Sequence, residues 1–176
     1  MSDRRTEMLE VIATRRSVRA FTGGAVSSGD LMAILKAGMA APSAVNVQPW
    51  AFVAVTKRET LDALCAALPY AKMLDKAGAA IVVCGLPHKD TQYAERYWIM
   101  DCSAATENIL LATHSLGYGA VWTAVYADTG LVKIVRKILE IPENVIPLNV
   151  IPIGVPADNE PPIDKWRPEN VRWEKW

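Results

Sequence analysis

Charge of either sign is not in excess in this sequence: 19 Lys and Arg residues balance 19 Asp and Glu over 176 residues. That balance excludes the basic stripe of a nucleic-acid binder and the self-repelling composition of a disordered tail. Histidine is scarce, and His88 and His114 stand alone, without the close spacing of metal ligands. Cysteine is scarce too. Cys65, Cys84 and Cys102 lack CxxC spacing and lie in apolar surroundings, so free thiols in a reducing compartment are expected. No apolar run approaches the roughly 20 residues needed to span a bilayer. The charged opening "MSDRRTEMLE" has no apolar signal core. A cytoplasmic protein with no membrane partner is expected. There is no GxGxxG after a strand, no Walker lysine loop, no kinase set and no GxSxG. If the chain is an enzyme, a bound cofactor is expected to carry its chemistry, with no catalytic side chain and no metal.

What is present is a core. Half of the residues (51%) are hydrophobic, and the length suits one domain with a proper interior. No repeat, low-complexity segment or linker divides it, so residues 1–176 are read as one unit with an extended tail over 160–176. Helical spacing predicts a helix ending near Thr14 and a second opened by Ser27 or Ser28 and closed by Pro42. Then come a strand at "WAFVAVT", a helix at "KRETLDALCAAL" and a buried strand at "GAAIVVCG". A long helix from Tyr93 to Gly117 follows, apolar or small on nearly every face. The chain continues with a strand at "GAVWTAVY", a helix capped by Thr129, and a last strand, "VIPLNVIPIG", interrupted by prolines. Alternating elements predict a sheet with helices packed on it. The long helix has more to bury than one small sheet can cover and is a candidate subunit interface.

Two stretches invite a ligand. "IATRRSVRAF" puts Arg15, Arg16 and Arg19 within five residues, around the hydroxyl of Ser17. Guanidinium groups present planar forks of donors matched to phosphate or carboxylate, and a local cluster in a neutral chain suits a small anion. "AAPSAVNVQPW" carries Ser43, Asn46 and Gln48 among small or apolar residues, with Pro42 and Pro49 restricting the backbone. It can offer hydroxyl and amide groups to the edge of a planar heterocycle, or serve as an ordinary connection, since Ser, Asn and Pro are turn residues.

"RRSVRAF" followed by "APSAVNVQPW", then "DCSAATENILLATHSLGYGAVWTAVY" and "LEIPENVIPLNVIPIGVPADNEPP", resembles the nitroreductase family of FMN-dependent oxidoreductases, from near Val11 to the C-terminus. The resemblance implies an α+β fold: a mixed central sheet flanked by helices, in an intertwined homodimer whose C-terminal tail crosses to the partner. It implies FMN at the subunit interface, reduced by NADH or NADPH and reoxidised by a small acceptor such as a nitroaromatic or quinone, in ping-pong order. By similarity, Arg15, Arg16, Ser17 and Arg19 hold the FMN phosphate and ribityl chain, and Lys165 and Arg167 complete the phosphate site. Asn46 matches the family's asparagine at the ring edge, with Pro42, Ser43 and Ala44 beside it and Gln48 at the ribityl hydroxyls or the loop itself. Trp122, Thr123 and Ala124 would lie along the isoalloxazine. Two departures stand out. "VWTAVY" lacks the glutamate of the Pro-x-Glu-Gly-like segment of larger members, and the stretch from Ala67 to Tyr97 is short for a helical cover over the site. Reductive dehalogenation or flavin breakdown on the same fold is an alternative. A non-catalytic nucleotide or phosphate binder, indifferent to NAD(P)H, is another.

Overall fold

Strand β2 (Ala79–Gly85) is buried along its whole length and divides the molecule into two cores. Side chains alternate across a strand. Ala79, Ile81 and Val83 therefore join one core, and Ala80, Val82 and Cys84 the other. The structure, a computed structural model, describes residues 4–158 and 160–176. The helices are α1 (Arg4–Thr14), α2 (Ser28–Met39), α3 (Arg58–Ala67), α4 (Ala94–Ser115) and α5 (Thr129–Leu139). The other strands are β1 (Trp50–Val55), β3 (Gly119–Ala120), β4 (Thr123–Ala124) and β5 (Ile146–Gly154). Helices α2 and α4 cover one face of the sheet, and α3 and α5 the other.

The sheet order is β1-β2-β5-β3, with β4 also on β5, and all four ladders are antiparallel. The expected mixed character enters through one contact, a parallel bridge between Ser17 and Ala120. The expected strand "GAVWTAVY" is broken into β3 and β4, because Val121 and Trp122 leave the ladder with β5. The two prolines do not interrupt β5; each sits at an irregularity. Pro147 adjoins the register shift between Val83 and Cys84, and Pro152 lies opposite the gap at Val121–Trp122. A strand tolerates proline where no ladder bond is demanded of it.

The helix ends follow local chemistry. Ser27 caps α2, its hydroxyl accepting from the Asp30 N–H at 3.0 Å. Thr129 does not cap α5; it is the first helical residue. Asp128 takes the capping place, accepting from Gly130 N–H at 2.8 Å and Leu131 N–H at 3.1 Å. A carboxylate there also complements the helix dipole.

The 22-residue α4 is the spine of the fold. Trp98, Cys102, Ala105, Ile109 and Leu110 face inward, while Tyr97, Ile99, Met100 and Leu116 are exposed. Its inward face lies so close that a Cβ on Gly85 would fall 2.1 Å from a Trp98 ring carbon, and one on Gly38 2.8 Å from Ile109. Exposed Met8, Leu9 and Ile12 extend the apolar surface along α1. Beyond the Phe21–Pro156 bridge the tail runs over the surface, with Ile163, Trp166, Trp173 and Trp176 exposed. Among the described residues, no helix is long and apolar enough to cross a membrane.

Candidate functional site

The arginine cluster begins where α1 stops. Thr14 folds its hydroxyl onto Glu10 O at 2.7 Å and lies 2.9 Å from His114 Nε2. The chain then extends against the sheet. Val18 is buried and donates its N–H to Ala120 O at 2.9 Å, beside the Ser17–Ala120 bridge. This anchor fixes the backbone between the arginines and leaves their side chains outward. Arg15 Nε donates to Glu107 Oε1 at 3.1 Å. Arg16 pairs with the Asp158 carboxylate, donates to Asp158 O at 3.1 Å, and lies 3.9 Å from Glu160 Oε2. Arg19 forms no ion pair with any described residue. Lys165 arrives from the tail and donates to Arg15 O at 3.0 Å.

Arg15, Arg16, Ser17, Arg19 and Lys165 thus line one recess of about 280 Å³, closed by Glu160, Pro161 and Ile163. Four cations and one carboxylate line it; Glu107 and Asp158 pair with Arg15 and Arg16 from outside, and with the positive charge left over the recess favours an anion. Its donors suit a phosphate monoester, and Ser17 adds a hydroxyl. Arg167 is not part of it; its guanidinium donates to Trp166 O at 2.8 Å. The positive field reaches His114, whose pKa is lowered by burial and then by Arg15 and Arg16.

The second stretch is held differently. Val45, Asn46 and Gln48 all take left-handed backbone, with φ of 42°, 60° and 54°. Such values are uncommon outside glycine and strained for a β-branched valine. The loop is pinned by Gln48 N–H to Ser43 Oγ at 2.8 Å, by Lys89 Nζ to Gln48 O at 2.8 Å, and by Ala44 N–H to Asp101 Oδ1 at 3.1 Å. The Asn46 side chain is exposed. Asp101 itself is buried in α4, and burial raises its pKa. Its second oxygen, Oδ2, has no hydrogen-bond partner among the described residues.

The cavities lined by the arginines contain no residue of this loop. Both stretches hang on α4, at Glu107 and Asp101. Six residues of helix separate those anchors by about 9 Å along the axis and about 120° around it. Trp122 and Ala124 are exposed and Thr123 is buried, its hydroxyl donating to Val150 O at 2.6 Å. The Ser17–Ala120 bridge sets this segment beside the arginine turn. The thiols play no visible part. Cys84 and Cys102 are buried, which pushes Cys84 up to about 12 and raises Cys102 further, and Cys65 is half-buried. No group of potential metal ligands occurs among the described residues.

The model of the nitroreductase family matches residues 12–68 and 61–155, which include both stretches. The chain belongs to the nitroreductase family. It is 44% identical, over 97% of its length and 99% of the relative's, to an Archaeoglobus fulgidus protein with the provisional name NADH dehydrogenase/NAD(P)H nitroreductase. A Parabacteroides distasonis structure with the same provisional name superposes with a TM-score of 0.90 at 43% identity, covering 97% of this chain and 99% of that one. A Desulfovibrio desulfuricans nitroreductase structure, described as a complex with FMN and likewise provisionally named, has a TM-score of 0.81 at 28% identity, covering 100% and 99%.

Around the nitroreductase motifs, sequence reading missed Asp101, Glu107, Asp158 and Glu160. Asp101 had a signal, a carboxylate in the apolar stripe of the long helix. Glu107 and the tail acids had none, because their arginine partners are remote in the chain.

Proposed function

We propose that this nitroreductase-family protein is an FMN-dependent NAD(P)H oxidoreductase that works as a homodimer and reduces small acceptors such as nitroaromatics or quinones. The observation that carries the reading is the recess where Arg15, Arg16, Arg19 and Lys165 converge on Ser17. A phosphate monoester, with a charge of about −1.5 to −2, matches that donor set. FMN, when bound, supplies hydride chemistry that no side chain here offers. The chain's own residues bind and orient. Glu107 fixes the Arg15 fork, and Arg16, paired here with Asp158 and 3.9 Å from Glu160, would help hold the phosphate. Thr123, held on Val150 O, stiffens the Trp122–Ala124 backbone that would run along the ring.

The loop bearing Pro42, Ser43, Ala44, Asn46 and Gln48 would serve the site from the partner chain. Its separation from the recess around α4 supports that arrangement, as do the exposed apolar faces of α1 and α4 and the exposed tryptophans of the tail. A two-fold pairing buries apolar surface that a lone chain leaves in water, which favours association.

The test is the visible spectrum of purified protein before and after anaerobic addition of NADH or NADPH. Flavin bands that bleach, and return with a nitroaromatic or quinone, are expected. A colourless protein that cannot be reconstituted with FMN overturns the reading.

A further inference from the structure

The carboxyl of Asp101 is misplaced if its purpose is stability. It is 7% exposed, set between apolar Trp98, Cys102 and Ala105 in the inward stripe of α4. Burying a carboxylate is unfavourable unless its oxygens are satisfied. Here Oδ1 accepts one backbone hydrogen bond and Oδ2 none. A leucine, with the same branched skeleton in slightly larger apolar form, would carry no such cost of burying charge.

What Oδ1 touches explains the residue. Ala44 N–H is the first amide of the turn whose next residues are forced into left-handed backbone at Val45, Asn46 and Gln48. A strained segment persists only where its surroundings over-determine it. Ser43 braces the loop from within, Lys89 holds its far end through Gln48 O, and Asp101 holds its near end. Of the two tertiary clamps, the Lys89 ammonium is on the surface and Asp101 sits on the rigid helix.

We propose that Asp101 is a positioning residue whose buried carboxyl, through the Ala44 N–H, sets the left-handed 45–48 loop and so the direction in which Asn46 offers its amide to the flavin. The assignment of Asn46 to the flavin rests on the function proposed above. The anchoring of the loop does not.

Two variants and two readouts separate these statements. Asp101→Asn keeps an acceptor for Ala44 N–H and cannot ionise. Asp101→Leu removes the acceptor and satisfies the apolar pocket. In flavin-free protein, hydrogen exchange of the Ala44, Asn46 and Val47 amides is expected to quicken at least tenfold in Asp101→Leu and to stay near wild type in Asp101→Asn. Titration with FMN itself, followed by quenching of its fluorescence, should show a Kd about tenfold weaker for Asp101→Leu and rescue by Asp101→Asn. Unchanged loop exchange in Asp101→Leu overturns the proposal. So does a loss of FMN affinity shared equally by both variants. Wild-type protein that binds no FMN while the exchange pattern holds overturns the flavin reading and leaves the anchor standing.

Discussion

The arginine turn at residues 15–19 and the loop at 42–48, the two stretches proposed to hold FMN, are built by opposite means. In the turn the backbone is ordinary, laid as one bridge against Ala120, and the side chains carry the information. In the loop the side chains are small or neutral and the information lies in the backbone, three left-handed residues held by Ser43, Asp101 and Lys89. A charged site can be flexible at its tips, because Coulomb attraction falls off slowly with distance. A site that offers one amide to one ring edge depends on direction, so its support must be rigid.

The comparison is broken most strongly at Arg16. Arg16→Ala removes a charge-assisted donor and leaves Asp158, and Glu160 in the recess, without their cation. FMN binding, measured by equilibrium dialysis, should weaken by roughly 10- to 100-fold, the size expected for hydrogen bonds to charged groups. Asn46→Ala tests the other region and should cost about tenfold, the worth of one neutral hydrogen bond. The salt response separates the two: raising sodium chloride should erode the affinity of wild type and Asn46→Ala alike, and that of Arg16→Ala less. Equal salt slopes in all three proteins would place the phosphate elsewhere.

Smaller effects sharpen the contrast. Asp158→Asn with Glu160→Gln removes competing carboxylates from Arg16, so FMN should bind roughly 2- to 5-fold more tightly at low salt, in keeping with the modest strength of exposed ion pairs. Weaker binding in that double variant would mean that the acids shape the recess rather than compete for it. The smallest effect concerns stability. The Asp101 carboxyl is raised in the folded state, so its protonated form is favoured there. Stability from that form is complete below the ordinary carboxylate pKa near 4 and is lost as pH rises through the folded value. The advantage of Asp101→Asn over wild type in urea unfolding should therefore grow between pH 4 and pH 7. A constant difference would show that Asp101 does not titrate with folding.

Much of this contrast was legible in the residues. Three arginines around a serine predict an anion site, and the structure gathers them with Lys165 in one recess; the apolar periodicities place α2, α4, α5 and β2 correctly. The helix cap at Asp128 was missed by one residue, because Asp and Thr are both good caps and only the geometry decides between them. The break between β3 and β4 was missed because "GAVWTAVY" has unbroken strand propensity, and the cause lies some thirty residues away in β5. The strain at Val45 could not be read at all, since nothing in a valine advertises a positive φ. The pairing of Arg16 with the tail depends on chain ends meeting, which short-range pattern does not encode.

That distant cause has a meaning of its own. Val150 O accepts from Thr123 Oγ1 while Ile153 O accepts from Gly78 N–H, so alternate residues of β5 address opposite neighbours, and Pro152 turns toward the β3–β4 side. There it withholds a donor opposite Val121, at the gap between β3 and β4. One absent hydrogen atom in the middle of the sheet keeps a zipper from closing. Val121 thereby stays out of the ladder, beside the arginine turn. In the α2–α4 half of this fold, glycines make room for packing. Here a proline opens a gap in the ladder, by subtraction.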